Sequence, residues 1–279
     1  MAFFSGSRIN TNVGALNALN ALNSVNSRIG VHQLRLASGK RLNSAADDPA
    51  GYTISQKLKA RARSIAQALN NVGEAKNILS VAEGGLQNIN DIFVGIKEKV
   101  IQGANGSYGS EELAAIVTQI TDQLNEVGDV ISQTKFNGTK LLDANFTSKV
   151  FQTGPDGGDT ITVSLSATID SSDFGLNGLT SADLQGSAIT TTLNSLDTAI
   201  SRVSTELQTI GSLIQRFDVK ESTLQIAITN TEAAASRIVD ADIAKEQVEA
   251  TKLQILQQTA TVQLAQANSA PGNVLQLFR

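Results

Sequence analysis

Seven apolar residues recur at a strict seven-residue spacing along one stretch of this chain: Leu58, Ile65, Val72, Leu79, Leu86, Phe93 and Val100. Between them Ile54, Arg61, Ala68, Ala75, Ala82, Ile89 and Ile96 supply the alternate positions, apolar except for the arginine. Spacings of three and four keep one stripe of a helix turned toward a partner, which is the pattern of coiled-coil packing. A helix from about 50 to 101 is on the order of 75 Å long, too long for a compact globule.

Two further seams answer the first. Leu113, Val117, Ile120, Leu124, Val127, Ile131 and Thr134 define a shorter helix. The longest runs through Ile189, Leu193, Leu196, Ile200, Val203, Leu207, Ile210, Ile214 and Phe217 to Leu224, Ile228, Thr231, Ala235 and Ile238, with Glu221 as its charged interruption. We take Ile200, Leu207 and Ile214 as its seam positions opposite the 58–100 repeat. The two long helices match in length and can lie along one another. With no Trp and two Tyr, the chain lacks the aromatic bulk of a large globular core. The expected fold is mainly α: an elongated antiparallel coiled-coil helical bundle formed by the N- and C-terminal regions, with a small β-hairpin region in the middle.

Local signals mark the boundaries. Asp47-Asp48-Pro49 offers capping carboxylates followed by proline at a first-turn position, a helix start. Gly103, Gly106 and Gly109 interrupt the chain before the second helix, and Asn137-Gly138 marks a turn after it. Beyond 138 the pattern changes: Val150-Phe151, a Gly154-Pro155-Asp156-Gly157-Gly158 turn, then Ile161, Val163, Leu165, Ala167 and Ile169 in alternation read as a β-hairpin. Five regions follow: 1–46, 47–137, 138–186, 187–236 and 237–279.

The outer segments differ in kind. Leu22, Val25, Ile29, His32 and Leu36 keep the three-four spacing within an Asn-rich stretch that carries the triple repeat Ala-Leu-Asn over 15–23. Asparagine lowers helix propensity, so this helix is marginal alone and forms when packed. Near the other end Ala241, Val248, Ile255 and Val262 alternate with Ala244, Thr251, Gln258 and Ala265, shifted in phase from the preceding seam at Asp240 to Asp242. Residues 1–46 hold Arg8, Arg28, Arg35, Lys40 and Arg41 and no acid, in a chain of net charge −4. So sparse a cation set, with no aromatic residues interleaved, predicts a lightly charged helix face rather than a nucleic-acid arm or an organellar transit peptide. No basic segment followed by an apolar core opens the chain, so no cleaved secretory signal is expected. Nor does any run approach the roughly 18 apolar residues of a membrane span.

Catalytic chemistry finds few candidates. There is no cysteine, and His32 is the only histidine, so a triad or histidine metal site would rest on it alone. Its seam position predicts a packed structural role. Asp240 and Asp242 flank a helix boundary and read as capping or solvated groups. No HExxH, GxSxG or P-loop pattern occurs. No enzyme activity, cofactor or metal is expected. Asn105, Asn137 and Asn145 fall in glycosylation sequons, a pattern short enough to arise by chance.

The run Ser38-Gly39-Lys40-Arg41-Leu42-Asn43-Ser44-Ala45-Ala46-Asp47-Asp48-Pro49-Ala50-Gly51 resembles the signature of bacterial flagellin. So does the end: Ser236-Arg237-Ile238, Asp240, Asp242, Gln266-Ala267-Asn268, Pro271 and Val274-Leu275-Gln276-Leu277. The likeness covers roughly 1–140 and 187–279, and the variable stretch between them is short. The resemblance implies a minimal flagellin without large outer domains, a structural subunit that self-assembles into the extracellular filament used for motility. It implies export through the flagellar type III pathway, with an uncleaved signal in the N-terminal segment, and polymerisation at the tip. Its implied partners are other flagellin subunits, the filament cap, hook–filament junction proteins and an export chaperone at the C-terminal segment, with no nucleic acid and no membrane insertion. On this reading 1–46 and 237–279 are disordered in the monomer and form the filament core through Leu22, Val25, Ile29, Leu36, Val248, Ile255 and Val262. The rivals are a hook–filament junction protein of the same family and a coiled-coil type III secretion translocator; a flagellin with a metalloprotease insert would require a histidine motif that is missing.

One departure from the family stands out. Flagellins sensed by the animal toll-like flagellin receptor carry a motif like QRVRELAVQ, and the matching stretch here is Val94-Gly95-Ile96-Lys97-Glu98-Lys99-Val100-Ile101-Gln102. Gly95 and Lys99 replace an arginine and a leucine, and Gln119 replaces a glutamate on the next helix. The resemblance therefore implies weak receptor recognition.

Overall fold

The structure is a computed structural model that describes residues 11–143, 146–165 and 175–276, without the side chains of 271 and 273–276. Arg8, Asn145, Ala167, Ile169, Leu277 and the side chains of Pro271 and of 274–276 lie outside that description. Five helices dominate: α1 (Val13–Ser38), α2 (Pro49–Gly103), α3 (Ser110–Gln133), α4 (Ala188–Val239) and α5 (Ile243–Gln276). Between α3 and α4 come two antiparallel hairpins, β1 (Lys135–Phe136) with β2 (Thr139–Lys140) and β3 (Phe146–Gln152) with β4 (Thr160–Leu165). The architecture is an antiparallel helical bundle with a small β region. By contact density it divides into two compact units, 61–229 and 1–60 with 230–279.

In the first unit the α2 seam lies at the centre of the core. Val72, Ala75, Leu79, Ala82, Leu86, Ile89, Phe93, Ile96 and Val100 are buried, as is Ile65 near its start. Alanine alternates with larger residues over 68–82, which lets partner helices approach closely. On α4 the fully buried column is Leu196, Val203, Ile210, Phe217 and Leu224, itself a seven-residue repeat. Ile200, Leu207 and Ile214 lie beside it, half-buried against the same core. Each side chain fully removed from water contributes about 1.5–3 kcal/mol, so the centre of this unit rests on these two columns.

Charges on the flanks set the register. Lys76 Nζ lies 2.6 Å from Asp218 Oδ1 and 2.8 Å from Glu221 Oε2. Lys97, further along α2, meets Asp197, earlier in α4, so the two helices run antiparallel. The carboxylates of Asp218 and then Glu221 hold the Lys76 amine above the usual lysine range. Glu221, the charged interruption of the α4 seam, is thus answered by a cation on the facing helix.

The α3 helix adds Leu113, Ile116, Ile120, Leu124 and Val127 to the core. Ile116 takes the fully buried place expected of Val117, which is half-buried, because the helix presents a stripe of finite width. Asn137 and Gly138 both have positive φ and close the two-residue turn between β1 and β2. In β4, Ile161, Val163 and Leu165 face inward in strict alternation. Phe151 of β3 meets Phe217 of α4 edge-on at 6.2 Å between ring centres. Asn71 Nδ2 donates to Gln152 O at 3.0 Å and ties the hairpin to α2. A hairpin of this size is marginal by itself, and it is held here by covering a helical core.

Candidate assembly interface

The second unit is built where four helix ends meet. Helix α1 closes on Gly39 in the left-handed conformation, with φ of 67°, as expected of a glycine stop. The chain then pairs with the end of α4: Arg41 N donates to Val239 O at 2.6 Å, and Ala241 N donates to Gly39 O at 2.9 Å. Arg41 Nη2 donates to Ile238 O at 2.7 Å. Leu42 and Val239 are buried at this crossing. The signature residues 38–51 thus make the link between the two termini.

Two aspartates build the start of α2. Asp48 Oδ1 accepts from Gly51 N at 3.0 Å, capping a helix whose first residue is Pro49. A Cβ on Gly51 would stand 2.3 Å from Asp48 Oδ2, so the cap and the glycine require each other. Asp47 Oδ2 accepts from Ser44 N at 2.8 Å and Asn43 N at 3.0 Å. Those backbone donors, Ser44 foremost, hold the Asp47 carboxyl below its usual range. On the other strand of the junction Asp242 caps α5, its Oδ1 accepting from Lys245 N at 3.2 Å. Among the described residues no cluster of three or more potential metal ligands occurs, and no helix is long and apolar enough to cross a membrane.

Helices α1 and α5 pair antiparallel along their length. Asn12 Nδ2 donates to Ala267 O at 2.6 Å, Gln257 Nε2 to Asn26 Oδ1 at 2.7 Å, and His32 Nδ1 lies 2.5 Å from Glu246 Oε2. Arg35 Nη1 reaches the other oxygen of Glu246 at 3.5 Å. On α1 the face turned to α5 holds Ile29, which is 8% exposed and buried, and Leu22, Val25 and Leu36, which are half-buried. His32 sits in that row, bonded to a carboxylate.

The α5 seam behaves differently. Val248, Ile255 and Val262 are 67%, 58% and 65% exposed. Helical geometry puts them on the side opposite Ala250, Leu253, Gln257 and Leu264, which are the residues turned to α1. Small and flexible side chains line the inner face and let α1 come close; the β-branched stripe is left to solvent. Helix α1 has an outer stripe too, with Val13, Leu16, Leu19, Val31 and Leu34 exposed. Sequence periodicity found the α5 stripe but could not tell which of two apolar faces would meet α1. The inner face was missed because Glu246, Ala250 and Gln257 are weak signals of burial.

The residues of the receptor-motif stretch lie elsewhere, in the 61–229 unit. Gly95 and Lys99 are half-buried on α2 and Gln119 is exposed on α3. A Cβ on Gly95 would meet Gln123 Nε2 at 3.5 Å, an ordinary contact.

Profiles of the bacterial flagellin N-terminal and C-terminal helical regions match residues 9–147 and 193–278. Flagellin FlaB1 of Treponema pallidum is 32% identical over 288 residues, covering 97% of this chain and 99% of that one. Flagellin of Bacillus subtilis is 33% identical over 308 residues, covering 98% and 100%. Among solved structures, a proposed flagellar hook-associated protein of Vibrio parahaemolyticus shares the fold with a TM-score of 0.57 at 16% identity, covering 70% of this chain and all of that one.

Proposed function

The chain belongs to the bacterial flagellin family, and we propose that α1 and α5 carry the contacts by which its copies join into the flagellar filament. It is a structural subunit of that filament, in a minimal form: relatives of similar length are matched from end to end. The observation that carries the assignment of contacts is the two-sided character of the terminal helices. Each uses one face for the other and leaves a second apolar stripe in water, Val248, Ile255 and Val262 on α5 being the most exposed. Exposed apolar stripes of this extent mark association surfaces. A helix as rich in asparagine as α1 gains little from propensity and consolidates when its free face is covered. Folding of this unit is therefore coupled to association, and repeated non-closing contacts between copies produce an open helical polymer.

On this reading 1–46 and 237–279 form the filament core. Segments 47–137 and 187–236 form the helical layer around it, held by the α2 and α4 seams, and 138–186 is the short variable region. Export by the flagellar type III route, growth beneath a cap, attachment through hook–filament junction proteins and an export chaperone at the C-terminal segment complete the cycle, with the filament outside the cell. Recognition by the toll-like flagellin receptor is weak, since Gly95 and Lys99 remove a cation and an apolar anchor.

Limited proteolysis of monomer and polymer tests the coupling. Cleavage of the monomer is expected to trim both ends toward residues 47 and 237, with polymer protected throughout. Equal protection in the two states would overturn it.

A further inference from the structure

Resting on the reading of the chain as a self-assembling flagellin, we propose that a charge pairing orients the copies: the cation-rich cleft at the α1–α5 junction of one subunit receives the acidic outer face of α3 of another. The two compact units have opposite charge. Residues 61–229 carry 19 carboxylates against 11 cations, and 1–60 with 230–279 carry 7 against 11, giving −8 and +4.

The acid concentrates on α3. Glu111, Glu112, Asp122, Glu126 and Asp129 are its charged residues, with no Lys, Arg or His in the helix. At 100° per residue all five fall within an arc of about 100°, facing away from the buried Leu113, Ile120 and Val127. Every one is exposed, and none forms an ion pair among the described residues. The helix dipole accounts for Glu111 and Glu112, which stand in the first turn. It disfavours acids toward the other end, where Asp122, Glu126 and Asp129 are spaced to repel one another. A solvated acidic face relieved by internal cations would need no partner; among the described residues no cation pairs with this one.

The complementary surface is a cleft of about 640 Å³ lined by six cations and four carboxylates. Two of those carboxylates are engaged: Glu246 by His32 and Arg35, and Glu249 by Lys252. Arg28, Arg237 and Lys245 are exposed and have no carboxylate partner among the described residues. Apolar stripes supply adhesion without direction, whereas opposed charge patches set orientation and speed encounter.

Seeded elongation of the full-length protein at low salt, followed by light scattering and electron microscopy, tests the pairing. Wild type is compared with Glu126→Lys/Asp129→Lys, with Arg28→Glu/Lys245→Glu, and with the four changes combined. Each double reversal is expected to slow elongation about tenfold or more, and the combination to recover most of the loss. Elongation of both doubles at the wild-type rate, or a combination no faster than the slower double, would overturn the pairing and leave the filament reading intact. Failure of wild type itself to elongate would overturn both. Because the chain has no cysteine, Asp122→Cys with Lys245→Cys gives an independent readout. A bismaleimide cross-link should yield a subunit ladder in polymer and none in dilute monomer. A polymer without the ladder would also refute the pairing, even if a charge-reversed variant does not fold.

Discussion

At the scale of single residues, Asp47, Asp48 and Gly51 show how much of the junction depends on backbone donors. Gly51→Ala drives a methyl into the Asp48 carboxylate and is expected to cost about 1 kcal/mol or more through the lost cap, read by urea unfolding. The Asp47 carboxyl is held below its ordinary value in the folded chain. Its contribution is therefore complete above the unfolded carboxylate value of about 4 and is lost as pH falls through the folded value. Wild type and Asp47→Ala should differ in stability by a constant amount at neutral pH and converge in acid; a difference that persists at low pH would refute the assignment. A Cβ at position 95 meets only an ordinary contact, so Gly95→Arg with Lys99→Leu should fold and regain about 1 kcal/mol of helix propensity at position 95. If these two residues weaken receptor recognition, the double variant should raise reporter-cell signalling roughly tenfold or more. Unchanged signalling would count against that role.

At the scale of elements, the heptad pattern of α2 was legible because Leu79, Leu86, Phe93 and Val100 are bulky, evenly spaced and buried on one side only. The pattern was less decisive for α4. There Leu196, Val203, Ile210 and Phe217 are fully buried while Ile200, Leu207 and Ile214 are partly covered, because both columns are apolar and the geometry of neighbouring elements chooses between them. Near the start of α2 the alternate positions Ile54 and Arg61 are exposed and Ser55 and Ala62 are buried. Small residues carry the contact there, and a hydrophobic pattern does not register them. Phe217 joins α4, the α2 core and Phe151 of the hairpin. Phe217→Ala should cost about 3–5 kcal/mol by denaturant unfolding, whereas Val219→Ala, two residues on and exposed, should change stability by less than about 0.5 kcal/mol. Equal losses at the two sites would argue against the assigned face.

For the whole molecule, the chain divides into two compact units, and the proposed assembly contacts fall in the one that holds both terminal helices. Deletion of 1–46 and 237–279 should leave a cooperatively unfolding helical core and abolish elongation from seeds; continued growth by the truncated protein would refute the role of the ends. The repeats, the glycine and proline punctuation and the two terminal motifs were sufficient in sequence to establish five helices, a small hairpin, the absence of catalytic motifs and kinship with flagellin. Each depends on local spacing or on a contiguous run of residue types. Which face of α5 meets α1, which column of α4 is buried, and how Arg41, Val239, Gly39 and Ala241 tie the termini together required the tertiary structure. A helix with apolar residues on opposite sides satisfies its periodicity equally well in two orientations, and the choice is made by contacts hundreds of residues apart in the chain. The same holds for charge: composition gives a net of −4, but only the folded arrangement separates an acidic α3 face from a cationic cleft.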